Sequence, residues 1–68
     1  MRNVVFVVSE PGKHIVEVRR WSEVLAIARD SGWRAAATQH TYDEHGNELS
    51  AVEIQPRQIE DDFNERAR

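Results

Sequence analysis

There is no cysteine among the 68 residues. That removes disulfides, thiolate nucleophiles and cysteine-ligated metals together, and it fits an intracellular protein. Glycine is scarce: Gly12, Gly32 and Gly46 stand singly, so no glycine-rich loop is present to cradle a phosphate. Long apolar runs are missing as well. The run Val4 to Val8 is far too short to cross a bilayer. Behind Met1-Arg2-Asn3 it superficially resembles a signal peptide, but Glu10-Pro11-Gly12-Lys13 follows it in place of a small-residue cleavage site. A cytoplasmic address is therefore expected. The length suits one domain whose small core stabilises a fold only marginally, so a partner or a second copy is a reasonable expectation.

Charge is present in both signs but unevenly placed. Nine basic and twelve acidic residues give a net charge of −3. Residues 1–42 carry six basic and four acidic side chains, whereas residues 43–68 carry three and eight. A monomer that grips nucleic acid usually presents an uninterrupted basic surface, and the second half of this chain opposes one.

The clearest periodicity lies in Ser22 to Gly32. Trp21, Val24, Leu25 and Ala28 recur at helical spacing, with Ile27 beside them. Ser22 reads as the N-cap, Glu23 suits the positive end of the dipole, and Trp21 is placed to fold over Ala26 as a staple. Gly32 can take the left-handed conformation that ends a helix.

Around this helix the pattern is that of strands. Asn3 to Ser9 is β-branched and aromatic, with Val4, Phe6 and Val8 on one side and Val5 and Val7 on the other. Both sides are apolar, so something beyond a single helix is expected on the second face: the C-terminal segment, a second subunit or a target. Pro11-Gly12 signals a type II turn into a second strand over His14 to Arg19. Trp33 to Tyr42 reads as strand three, with a helix continuing to Ala37 as the alternative. Asp43 to Asn47 is a turn, and Glu48 to Gln55 is strand four, anchored by Val52 and Ile54 and stopped by Pro56. Residues 57–68 form either a short helix with a thin stripe of Ile59, Phe63 and Ala67, docked on the sheet through Ile59 and Phe63, or a charged tail that stays disordered until something binds. The expected fold is α+β: an antiparallel sheet of about four strands in the order ββαββ over residues 1–56, one helix packed on one face, and a charged C-terminal helix or tail over 57–68.

Candidate sites are few. His14, His40 and His45 lack the convergence and spacing of a metal site. His40, Ser50 and Asp43 can be imagined as a triad, but no nucleophile elbow accompanies them. No catalytic residue, metal or cofactor is assigned. Arg19, Arg20 and Arg34, with Arg2, could make a basic patch for phosphate or an acidic protein. Glu60, Asp61 and Asp62, with Glu65, could meet a basic partner or imitate a row of phosphates. Trp21 and Trp33 read as core residues, not base-stacking platforms.

The ββαββ order, the size, and the turn Asp43-Glu44-His45-Gly46 leading to Leu49 and Ala51-Val52 resemble small phage-encoded anti-CRISPR proteins, inhibitors of the type I-F surveillance complex. The resemblance covers about residues 3–55. It implies a host-cytoplasmic, non-enzymatic inhibitor that binds a Cas or other defence protein through exposed charge, with Arg19, Arg20 and Arg34 as contacts. The acidic tail and the paired tryptophans depart from it. The competing expectations are a nucleic-acid-binding accessory protein and a structural homodimer.

Overall fold

The computed structural model describes residues 3–67. Six elements follow one another: β1 (Asn3–Ser9), β2 (Val16–Val18), α1 (Trp21–Asp30), β3 (Ala36–Tyr42), β4 (Glu48–Ile54) and α2 (Pro56–Arg66). The strands form one antiparallel sheet in the spatial order β2-β1-β3-β4. The expected ββαββ architecture is present, and the C-terminal segment takes its helical option.

The alternation in β1 sets the two faces. Phe6 and Val8 are buried in one cluster with Val18, Val24, Ala28, Ala35, Ala37 and Ile59. Because opposite residues in an antiparallel pair share a face, the register assigns the rest of the sheet. Val4, Phe6 and Val8 share theirs with Thr41, Gln39 and Ala37. Val5 and Val7 share the other with His40 and Thr38. α1 lies against β1 and β2, and α2 lies against β3 and α1. Both helices therefore occupy the same face. Among the described residues no helix covers the side of Val5 and Val7, so of the three expected covers the C-terminal segment is the one that does not lie there, and a second subunit or a target is left.

Several boundaries differ from the sequence reading. Ser22 is not the cap of α1. The Arg20 carbonyl accepts from the Glu23 and Val24 amides at 3.0 and 3.3 Å, so the cap lies two residues earlier, at Arg20, with no side-chain cap bond. Trp21 is not a staple over the exposed Ala26. Its ring packs against Phe6, with centroids 5.4 Å apart. β2 is shorter than expected, because pairing with β1 holds only from Val16 to Val18. The turn before it is as read: Gly12 has φ +74° and the Lys13 amide bonds the Glu10 carbonyl at 3.2 Å.

Trp33 does not begin β3. α1 ends in a Schellman arrangement, in which the Gly32 amide bonds the Arg29 carbonyl at 3.1 Å and the Trp33 amide the Ala28 carbonyl at 2.8 Å. Gly32 and Trp33 are both left-handed, at φ +71° and +63°. The strand starts three residues later, at Ala36, after Ser31 Oγ has accepted from the Arg34 and Ala35 amides at 3.1 Å each. The small side chains of Ala35 and Ala37 are fully or almost fully buried under the helices.

Pro56 both ends β4 and opens α2 at a position where its missing N–H costs nothing. Gln58 Oε1 reaches back to the Gln55 amide at 2.7 Å. The apolar stripe then docks: Ile59 is completely buried, and the Phe63 ring lies 5.0 Å from that of Trp33. The boundary placed at 56/57 thus falls inside the first turn of a helix that belongs to the core.

A polar clasp joins the first residue of α1 to the second half of α2. Trp21 Nε1 donates to Asp62 Oδ2 at 2.7 Å, and Arg66 Nε donates to the same oxygen at 2.7 Å. The indole bond, and then the Arg66 bond and charge, hold the Asp62 carboxyl below its ordinary 3.8. A depressed carboxyl contributes stability that is fully present above its unfolded pKa and is lost as pH falls through the lower folded value. Asp62→Ala should cost about 1 kcal/mol, a modest value because the group is partly solvated. Asp62→Asn keeps an acceptor but not the charge, so it should lose less and should flatten the decline on the acid side. Urea titrations between pH 3 and 7, followed by tryptophan fluorescence, check both; an unchanged acid limb in Asp62→Asn would exclude this role.

Candidate interaction surface

The sheet face opposite the helices is built from β1, β3 and β4. Val5 and Val7 supply its apolar centre, flanked by Thr38, His40 and Tyr42, all half-buried. Their accessibility follows from the fold: two helices suffice for one face only, and both pack there. On β4, Glu53 and Ala51 stand opposite Thr38 and His40, so they share this face. Glu48 pairs with Tyr42 across a register shift between Thr41 and Tyr42. Glu48 Oε1 lies 2.6 Å from His40 Nδ1, and the His40 and Tyr42 rings stack at 6.3 Å with planes 20° apart. This row of His40, Tyr42 and Glu48 fixes side chains that would otherwise move freely on an open sheet.

The hairpin that ends this face is held by Asp43. Its Oδ1 accepts from the His45 and Asn47 amides at 2.9 and 2.8 Å, and its Oδ2 accepts from Asn47 Nδ2 at 3.2 Å. The Asn47 amide, chiefly, keeps the Asp43 carboxyl below its ordinary value, and Gly46 takes φ +84° to close the turn. Asp43 is therefore a turn-forming residue. His40, Asp43 and Ser50 do not assemble as a triad. Ser50 stands opposite Thr41 and faces the helix side, away from His40. Among the described residues, no three His, Asp or Glu side chains converge on a metal position.

The basic candidates are not brought together. Arg20 precedes the first turn of α1 and Arg34 follows its end. A ten-residue helix of about 15 Å separates them. Arg19 accompanies Arg20 at one end of the sheet, and Arg34 stands at the other, just before Ala36. Arg2 lies outside the described residues. In the acidic set, Glu60, Asp61 and Asp62 are consecutive on α2 and so point about 100° apart. Asp61 is exposed, Glu60 is half-buried, and Asp62 is engaged by Trp21 and Arg66. The two tryptophans are half-buried between helices and sheet, as core residues.

The chain matches no family model, no curated protein and no solved structure.

One feature escaped the sequence reading. Val52, read with Ile54 as an anchor of this strand, is 54% exposed, and Leu49 is 52% exposed. The alternation of β4 gives no sign that it is the last strand of the sheet. That depends on strand order, which a local pattern does not encode. Among the described residues no helix is long and apolar enough to cross a membrane.

Proposed function

We propose that this chain is a small, non-enzymatic protein-binding module that inhibits a bacterial defence complex on behalf of a phage or another mobile element. One observation carries the binding role: a four-stranded sheet keeps both helices on one side and leaves Val5, Val7, Thr38, His40 and Tyr42 accessible on the other. An apolar centre within a polar surround is the composition of a docking surface. The separation of Arg19 and Arg20 from Arg34 favours a protein partner over a phosphate backbone, which asks for a continuous basic track. The scattering of His40, Ser50 and Asp43 favours binding over catalysis. The target class comes from the anti-CRISPR resemblance, so a type I-F surveillance complex is the first to assay.

Thr38→Lys places a charge at the middle of the accessible face without touching the core. The wild-type chain should bind the target complex and reduce its hold on target DNA. Thr38→Lys should bind at least about tenfold more weakly while keeping the same circular dichroism, as truncating or opposing a central contact does. Equal inhibition by Thr38→Lys would remove the sheet face from the proposal. Salt-sensitive binding of the isolated chain to DNA would transfer it to the nucleic-acid reading. A concentration-dependent dimer that buries Val5 and Val7 would transfer it to the structural homodimer.

A further inference from the structure

We propose that β4 takes an extended, basic segment of a partner protein as a fifth strand. The inference rests on the protein-binding reading and names the partner's chemistry. Among the described residues β4 is the last strand of the sheet, with β3 as its sole ladder neighbour. Every second residue therefore turns a backbone N–H and C=O toward solvent, a row of donors and acceptors that suits another strand. Edges of this kind are commonly blunted by charged side chains, lysine above all, by proline, by a bulge or by a covering element. Glu48–Ile54 contains neither lysine nor proline, its two charges, Glu48 and Glu53, are both acidic, and six of its seven residues are exposed. The register shift lies at the hairpin end, so Ser50 to Ile54 remains a regular ladder. Leu49 and Val52 provide exposed apolar contacts along it.

Charge selects the occupant. Between Arg34 and Arg57 there is no lysine or arginine, while Asp43, Glu44, Glu48 and Glu53 are all acidic. Two copies meeting through β4 would bring two such sets together, and like charges across a strand pair are destabilising. The opposite edge of a second copy fits no better. β2 is three residues long and carries Glu17 at its centre. Glu17 pairs with Val7, which pairs with Thr38, which pairs with Glu53. In a sheet continued from copy to copy at the same level, Glu17 would therefore face Glu53. A partner strand bearing lysine or arginine meets neither obstacle.

The probe is a synthetic heptapeptide of alternating lysine and valine, titrated into the isotope-labelled chain at low salt. Amide shifts should concentrate in residues 48–54. The glutamate–valine counterpart should bind at least about fivefold more weakly, and Glu53→Lys should weaken the lysine peptide by about three- to tenfold. A lysine–valine peptide N-methylated on alternate amides keeps its charge but cannot complete the ladder, and it should not bind. Equal binding by the N-methylated peptide, shifts centred on the helices, or no shifts would overturn the proposal. So would a dimer in which the β4 amides become protected without peptide. If Thr38→Lys abolishes binding to the target complex while Glu53→Lys and the peptide have no effect, the edge is excluded and the face retained. Loss with neither variant removes the underlying reading as well.

Discussion

Ile59→Ala should leave the chain largely unfolded at 25 °C. Ile59 is one of the largest fully buried side chains, and it is the residue through which α2 enters the cluster of Phe6, Val8, Val24 and Ala28. Truncating a buried isoleucine to alanine costs about 2–5 kcal/mol, more where the surroundings cannot close over the cavity. Closure is hard here because three of the eight buried core residues are already alanines: Ala28, Ala35 and Ala37. Their methyl groups cannot reach into the space. A domain of this size draws only about 3–5 kcal/mol of net stability from its core, so the loss is comparable to the whole. Ile59→Val removes one methylene, costs about 0.5–1.5 kcal/mol and should remain folded. Circular dichroism and urea denaturation of the two variants give the answer. If Ile59→Ala unfolds at the same urea midpoint as the wild type, α2 is an appendage and the core closes without it.

This dependence on α2 shows where the sequence was legible. The sheet was readable because its signals are local: an unbroken β-branched and aromatic run in Val4 to Val8, a Pro-Gly turn at 11–12, and an Asp-to-Asn turn at 43–47. The start of α2 also had a local signature, with Pro56 at its first position and Ile59 and Phe63 one turn apart. Docking through Ile59 and Phe63 was one of two readings, and the local pattern did not choose between it and a free tail, because the partners on α1, Val24 and Ala28, lie far away in the chain. The dispersal of Arg19, Arg20 and Arg34 has the same origin. Spacing along the chain does not reveal that a helix carries two of them to one end of the sheet and the third to the other. Val52 illustrates the converse, an apolar residue whose alternation is that of a core strand but whose strand lies at the margin. The candidate surface is thus a product of strand order and of both helices choosing one side, and neither quantity is written in a local motif.

Replacing Trp33 should destabilise the fold strongly, and glycine should be the less damaging replacement. The side chain is half-buried, packs on the core cluster and meets Phe63 at 5.0 Å, so it joins the end of α1 to α2. Removing it forfeits aromatic burial and an aromatic pair, about 2–4 kcal/mol for Trp33→Ala, somewhat below a fully buried tryptophan. The backbone adds a second term. Trp33 holds φ +63°, a left-handed conformation that costs a residue with a β-carbon about 1–2 kcal/mol and glycine almost nothing. Alanine keeps that strain and loses the packing that sustains it. Glycine loses the same packing but releases the strain, so Trp33→Gly should recover about 1 kcal/mol relative to Trp33→Ala. The usual order, in which glycine is the more disruptive, would be inverted. Parallel urea titrations of the two variants followed by circular dichroism decide the matter, and alanine proving the more stable would mean that Trp33 does not hold the left-handed conformation in solution. The inversion is informative because it separates the two contributions of one residue: a ring that clamps the helices, and a backbone bend that releases the chain from α1 in the direction β3 requires.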